Sequence, residues 1–251
     1  MSSADAPAMA LTFSDLTIVR GDLVLARALS GTVRAGGALV VTGANGSGKS
    51  TLLRTLYGLA PPAAGGIALS FAGDEAPVAE NAHLLGHANA MKDDLSVREN
   101  LRFWAGVLSG GGGEGGEDGE RTRDADALIG EAAGPLGLDR LLDLPFAYLS
   151  AGQRRRVALA RLWVAPRPLW LLDEPTAALD AASERAVREM IEAHRAEGGM
   201  VVAATHVDLG LRDADGLAMG APADTMEDVD AADPAAPSTV GVGSRAPRPA
   251  G

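Results

Sequence analysis

GANGSGKST, residues 43–51, directly follows the apolar run GALVVT (37–42). It opens a segment, Ser50–Leu59, with leucines at 52, 53, 56 and 59. A short buried strand, a glycine-rich turn and a helix with one apolar stripe are the parts of a phosphate loop. Gly43, Gly46 and Gly48 let backbone N–H groups curl around phosphate oxygens with no Cβ in the way. Ala44, Asn45 and Ser47 complete that loop. The helix beginning near Ser50 and Thr51 aims its N-terminal dipole at the same anion. Lys49 is placed to reach the β- and γ-phosphates, and Ser50 to ligate Mg²⁺. The stretch therefore implies a nucleoside triphosphate together with Mg²⁺. Kinases, GTPases, motors, repair proteins and membrane pumps all use such a loop, so the rest of the chain has to decide among them.

The chain has 251 residues, 47% of them apolar, enough for one domain with a sizeable core. No stretch approaches the ~18 uninterrupted apolar residues of a bilayer span. The N-terminus MSSADAPAMA has no basic region followed by an apolar block, so no secretory signal is expected. The absence of cysteine excludes disulfides and thiolate metal sites. The net charge of −11 is unevenly spread. Residues 109–126 hold six acids against two arginines, and residues 221–251 hold five against two. An acidic chain is a poor nucleic-acid binder, because phosphate affinity rests on Lys and Arg.

Two segments read as unstructured: the Gly/Glu-rich insert 109–120 and the Ala/Pro/Asp-rich tail 220–251. The domain proper is residues 11–219. LTFSDLTIV (11–19) and Leu23–Leu29 suggest an early antiparallel pair. LWLLDEP (169–175) and MVVAATH (200–206) are short apolar runs, as buried strands should be. A helix is expected over Ser183–Glu197, stopped by Gly198-Gly199. SVRENLRFWAGVL (96–108) starts with Ser96 and carries Glu99 three places on, a capping box. Alternating strands and helices argue for an α/β fold with a largely parallel sheet.

LWLLDEP supplies the partner of the phosphate loop. Asp173 emerges at the C-terminal end of a buried strand, where ligands bind in such sheets. It can hold Mg²⁺ through water, and Glu174 can polarise the attacking water.

The deciding stretch for the family is LSAGQRRRVALARLW (149–163). Helical spacing turns Val157, Leu159, Ala160 and Trp163 inward and the arginines outward. An amphipathic helix alone does not explain the L-S-x-G-Q opening some 20 residues before the acidic strand end. Here the chain resembles the ATP-binding cassette family, whose signature reads L-S-G-G-Q. Ala151 stands for a glycine, a small-for-small change that is tolerated unless the position needs a positive φ. The resemblance covers about residues 11–219, with the motifs in family order. It implies a P-loop cassette with a mainly parallel core sheet, a small antiparallel β subdomain and a helical signature subdomain. It assigns Ser150, Gly152 and Gln153 to the signature. Asp180, in Ala178-Leu179-Asp180, looks like the dimer-interface loop, and His206 after Thr205 like the switch histidine at the γ-phosphate. In the family two such domains pair head to tail. Each ATP then lies between one subunit's phosphate loop and the other's signature serine, here Ser150.

Cassette ATPases of DNA repair insert a long coiled coil, which the 97 residues between Lys49 and Ala147 cannot hold. Translation-factor members carry two cassettes, and this chain has one. Membrane transport remains. In LLGHANAMKDDLSVRENLRFW (84–104), counting eight residues back from Leu95 reaches His87 where the family normally has a glutamine. With LSAGQ and ALARLW, this resembles the ATP-binding subunits of the cytochrome c maturation system, which carry an I/L-G-H segment there. The resemblance implies a peripheral ATPase on the cytoplasmic face of the bacterial inner membrane. It would work through two integral membrane partners, subunits B and C, for haem export or release of a haem-loaded chaperone. Nothing suggests that the chain itself binds haem, since His83, His194 and the seven Met are scattered. At the position of the family's adenine-stacking aromatic, about 23 residues before Gly43, stands Arg20. Arginine can stack on a base in part, and it can also be a plain solvated turn residue. An ABC ATPase for another substrate, or a soluble regulatory one, would share every catalytic residue.

Overall fold

The structure, a computed structural model, describes residues 9–108, 118–220 and 224–225. In chain order these form β1 (Ala10–Arg20), β2 (Leu23–Arg34), β3 (Ala38–Gly43), α1 (Lys49–Tyr57), β4 (Ala64–Phe71), β5 (Asp74–Ala76), α2 (Val78–Asn81) and β6 (Ala82–Leu85). There follow α3 (Val97–Leu108), α4 (Asp118–Ala133), a 3₁₀ turn at Phe146–Tyr148, α5 (Ala151–Val164), β7 (Leu169–Asp173), α6 (Ala181–Ala196), β8 (Met200–Ala204), β9 (Asp215–Met219) and β10 (Asp224–Thr225). They divide into two compact units. The first takes the described residues up to Leu84, Pro168–Glu174 and those from Glu192 on; the second takes Leu85–Arg167 and Pro175–Ile191.

The first unit holds two sheets. One has the order β10-β2-β1-β4-β5 with antiparallel pairing throughout; the other has the order β6-β7-β8-β3-β9. In the second sheet β7–β8, β8–β3 and β3–β9 are parallel. Every residue of LWLLD and MVVAA is buried, as a parallel strand covered on both faces demands. Leu11, Phe13 and Leu16 from β1 share one apolar core with Val41, Leu171 and Val202 from the parallel sheet and with Leu52, Leu53 and Leu56 from α1. Each such leucine, fully buried, stabilises the fold by about 1.5–3 kcal/mol. α1 starts one residue earlier than the leucine spacing suggests. It ends at Gly58, whose φ of 92° lets its N–H return to the carbonyls of Arg54 and Thr55.

In the second unit α3, α4 and α5 pack pairwise. Val97, Leu101 and Ala105 form the buried stripe of α3, and Ile129, Ala132 and Ala133 that of α4. The expected capping box is present: Glu99 Oε2 accepts from the Ser96 N–H at 2.8 Å, and Ser96 Oγ accepts from the Glu99 N–H at 3.2 Å. Arg102 spans α3 and α4 with a two-pronged bond to Asp126 at 2.8 and 2.5 Å. That bond holds the Asp126 carboxyl below the usual carboxylate range.

Three expectations need correction. Asp118, Gly119 and Glu120 are not part of a structureless insert but the first turn of α4. The remainder, 109–117, lies outside the described residues. In the tail, Asp224 and Thr225 pair with Val24 and Leu23 at the open edge of β2, while 221–223 and 226–251 lie outside. The arginines of α5 do not all face outward, since Arg155 and Arg161 are buried and Trp163 only half so. Three consecutive helical residues fan over about 200° at 3.6 per turn, so RRR cannot keep to one face. Each guanidinium finds its own carbonyls: Arg154 those of Ala147 and Leu149, Arg155 that of Gly86, Arg156 that of Leu136. Arg161 lies over the Trp104 ring, 4.8 Å from its centroid.

Candidate active site

β3, β7 and β8 are neighbours in the order β7-β8-β3 and run parallel, so their C-terminal ends share one edge of the sheet. The phosphate loop leaves β3 there, Asp173 and Glu174 end β7, and Thr205-His206 follow β8. Main-chain bonds tie the edge together. Thr205 donates its N–H to the Val41 carbonyl at 3.0 Å, and Glu174 to that of Ala204 at 2.8 Å.

The loop is built for an anion. Gly48 caps α1 at φ 99°, and a Cβ there would come within 2.9 Å of Leu25. Gly46 lies at φ 84°. Ser47 and Lys49 are buried, whereas Ala44, Asn45 and Gly46 are exposed and Ser50 and Thr51 half-buried. Ser47 Oγ has no hydrogen-bond partner among the described residues. The Lys49 ammonium bonds back to the carbonyls of Gly43 and Ala44 at 2.8 and 3.0 Å. A buried cation, an orphaned hydroxyl and a glycine cradle at a helix N-terminus fit a bound phosphate chain.

Glu174 takes a left-handed backbone, φ 47°, at the end of its strand. For a residue with a side chain this costs on the order of 1 kcal/mol. Both carboxylate oxygens lie 3.0 Å from Nδ1 of His206. The carboxylate is only 14% exposed and the imidazole 62%. A nearly buried carboxylate oriented by an imidazole can take a proton from water. Asp173 beside it is buried and, with the Ser50 hydroxyl, offers the hard oxygen ligands that Mg²⁺ prefers.

The family model described as ABC transporter matches residues 26–177. A protein of Rhizobium johnstonii named cytochrome c biogenesis ATP-binding export protein is 47% identical over 216 residues, 84% of this chain and 94% of its own length. One of the same name from Mesorhizobium japonicum is 52% identical over 186 residues, covering 74% and 85%. This chain is an ABC transporter ATPase of the cytochrome c biogenesis branch. In fold it is similar to a solved ATP-binding subunit of an ABC transporter, with a TM-score of 0.70 at 22% identity over 88% of this chain and 92% of that one. A solved dimeric bacterial cassette gives 0.69 at 19% identity over 84% and 94%.

The remaining residues expected at the site belong to the second unit, except Arg20, which belongs to the first. Ser150 is the N-cap of α5. Its Oγ accepts from the Gln153 N–H at 3.3 Å, while Gln153 Oε1 accepts from the Ser150 N–H at 2.8 Å. The Gln153 side chain is thus spent on a capping box, which the S-x-x-Q spacing signals in any helix. Ala151 opens α5 exposed and without a positive φ, so the departure from the family signature carries no strain. Gly152 is different, because a Cβ there would meet the Ala178 carbonyl oxygen at 2.7 Å. Asp180 caps α6 by accepting the Ser183 N–H at 2.8 Å, which holds its carboxyl below the usual range. His87 is exposed in the loop after β6, next to the Gly86 carbonyl that Arg155 holds at 2.7 Å. Arg155 had no signal in the sequence beyond the crowding of RRR. Arg20 is exposed at the end of β1, in register with Leu23.

Proposed function

We propose that two copies of this chain pair head to tail and drive an export complex of cytochrome c biogenesis from the cytoplasmic face of the inner membrane. The observation that carries the catalytic part is the Glu174–His206 contact at the same sheet edge as the phosphate loop. ATP lies along residues 43–51, with Lys49 exchanging its two loop carbonyls for β- and γ-phosphate oxygens. Ser50 and Asp173 would hold Mg²⁺, which neutralises charge on those phosphates. Glu174 accepts the proton of the water that attacks the γ-phosphorus. His206 holds that carboxylate in place and faces the departing phosphate. Ser150 and the start of α5, with Gly152 and Gln153, close the site from the second copy, and the Asp180 loop lines the pairing surface. His87 stands where the family's glutamine senses this state and passes it to the membrane subunits.

The cargo step is read from the relatives. Their name and 46–52% identity support a role in cytochrome c biogenesis, and no helix of the described residues is long and apolar enough to cross a membrane. Integral partners of the B and C type would therefore carry out the transmembrane step, with release of a haem-loaded chaperone on the far side. Purification of the tagged chain from native membranes tests this. Recovery of two haem-handling integral membrane proteins is expected. Recovery of membrane subunits of an unrelated importer contradicts the assignment of cargo.

A further inference from the structure

We infer that Tyr148 is the aromatic partner of the nucleotide, presented by one copy of the chain to the base and ribose of the ATP held by the other. This rests on the head-to-tail pairing proposed above. Tyr148 is 79% exposed, the most exposed large apolar side chain among the described residues. Its backbone is nevertheless held firmly. The Tyr148 N–H donates to the Pro145 carbonyl at 3.0 Å in the 3₁₀ turn. Arg154 grips the carbonyls on either side of it, Ala147 at 2.6 Å and Leu149 at 3.0 Å, and lies over the Phe146 ring. A rigid backbone that keeps a phenol ring in water is the arrangement of a stacking platform, because little entropy remains to be lost on contact.

The first unit has a matching deficit. It carries the whole phosphate loop, yet its β1–β2 hairpin end, IVRGDLVL (18–25), offers no aromatic to a base. The strongly exposed aromatics among the described residues are Phe103 and Tyr148, both in the second unit. Phe103 already has the Lys92 ammonium 4.8 Å above its ring. Tyr148 stands two residues before Ser150, joined to it by extended Leu149 at φ −79° and ψ 144°. Two residues span at most about 7 Å, so a Ser150 at the partner's γ-phosphate brings the Tyr148 ring alongside the rest of the same nucleotide.

The test uses mixed dimers of the full chain. One copy carries Glu174→Gln and binds 8-azido-ATP; the other is tagged and carries Lys49→Ala, so that it holds no triphosphate itself. After illumination, label is expected on the tagged copy, in the peptide containing Tyr148. It should fall at least about fivefold when that copy also carries Tyr148→Ala, the loss of one base–aromatic contact. Tyr148→Phe should retain it. The melting temperature of Tyr148→Ala should equal that of the parent, since the ring packs against so little. Label confined to the Glu174→Gln copy, in mixed dimers verified by light scattering, overturns the role of Tyr148. Absence of any ATP-dependent mixed dimer overturns the pairing itself, and this role with it.

Discussion

At the scale of single residues, the site separates positions that tolerate change from positions that do not. Ala151 and Gly152 are neighbours in the signature, yet only Gly152 has a backbone carbonyl where its Cβ would stand. Gly152→Ala should cost about 1–3 kcal/mol through overpacking and displace the Ala178 loop, whereas Ala151→Gly should change stability by less than ~1 kcal/mol. Denaturant unfolding of the two variants checks the contrast. His87 is exposed, so its replacement is expected to cost little burial of apolar surface. His87→Gln should keep ATP hydrolysis and export, and His87→Ala should lower both several-fold. Equal rates for all three show that the neighbouring backbone, not the imidazole, does the coupling. Which of these residues were legible depended on chemistry at fixed spacing. Lys49, Ser50, Asp173 and Glu174 announce themselves because the chemistry expected of phosphate and Mg²⁺ calls for those groups at the start of a helix and the end of a strand. The 3.0 Å Glu174–His206 contact did not announce itself, since 32 residues separate the two in sequence and only the parallel pairing of β7 with β8 joins them.

At the scale of elements, the buried strands were readable as apolar runs, α3 as a capped helix and α5 as an amphipathic one. The first turn of α4 and the two-residue β10 were not, because their Gly- and Asp-rich composition argues against both structures and tertiary placement overrides it. The junction of α6 with the parallel sheet was equally hidden. His194 of α6 stacks on Trp170 of β7, ring centroids 3.8 Å apart and 5° from parallel. The imidazole also lies within 2.2 Å of where a Cβ on Gly199 would be, so that glycine does more than end a helix. Burial pushes the His194 imidazole down to about 4. A histidine whose folded value is depressed stays neutral in the native chain while the unfolded chain, near its ordinary 6.5, takes up a proton. Its contribution to stability is therefore complete above pH 6.5 and is lost progressively down to pH 4. Allowing for its partial exposure, about 2 kcal/mol should disappear across that window. His194→Phe keeps the stack and cannot titrate, so its thermal stability should be flatter from pH 6.5 to 4. The Asp126, Asp143 and Asp180 carboxyls are depressed as well. Being carboxylates, they lose their contributions only below about pH 3.9, outside the histidine window. Parallel stability profiles for the parent and His194→Phe contradict this account.

At the scale of the whole molecule, the acidic segments are expected to be dispensable for the cassette. Deletion of 110–117 and 226–251 should leave melting temperature and ATPase rate within a few-fold of the parent. Extending the cuts to Glu120 and back to Ala223 should lower stability, because the first turn of α4 and the β10 pairing with β2 go with them. Equal stability for the short and long deletions shows that those added residues contribute nothing. The class of fold, the family and a helical subdomain could be read from the motifs and the resemblance they carry, whereas the bounds of the two units could not, because α6 begins in one and ends in the other. Whether Glu174 is the general base of an ATPase that works as a pair is decided by steady-state ATP hydrolysis of Glu174→Gln in complex with its membrane partners, with oligomeric state followed by light scattering. Turnover should fall by about 10²–10⁴ while ATP and Mg²⁺ collect the variant into a stable dimer. Turnover near that of the parent, from a chain that stays monomeric in ATP, contradicts the claim.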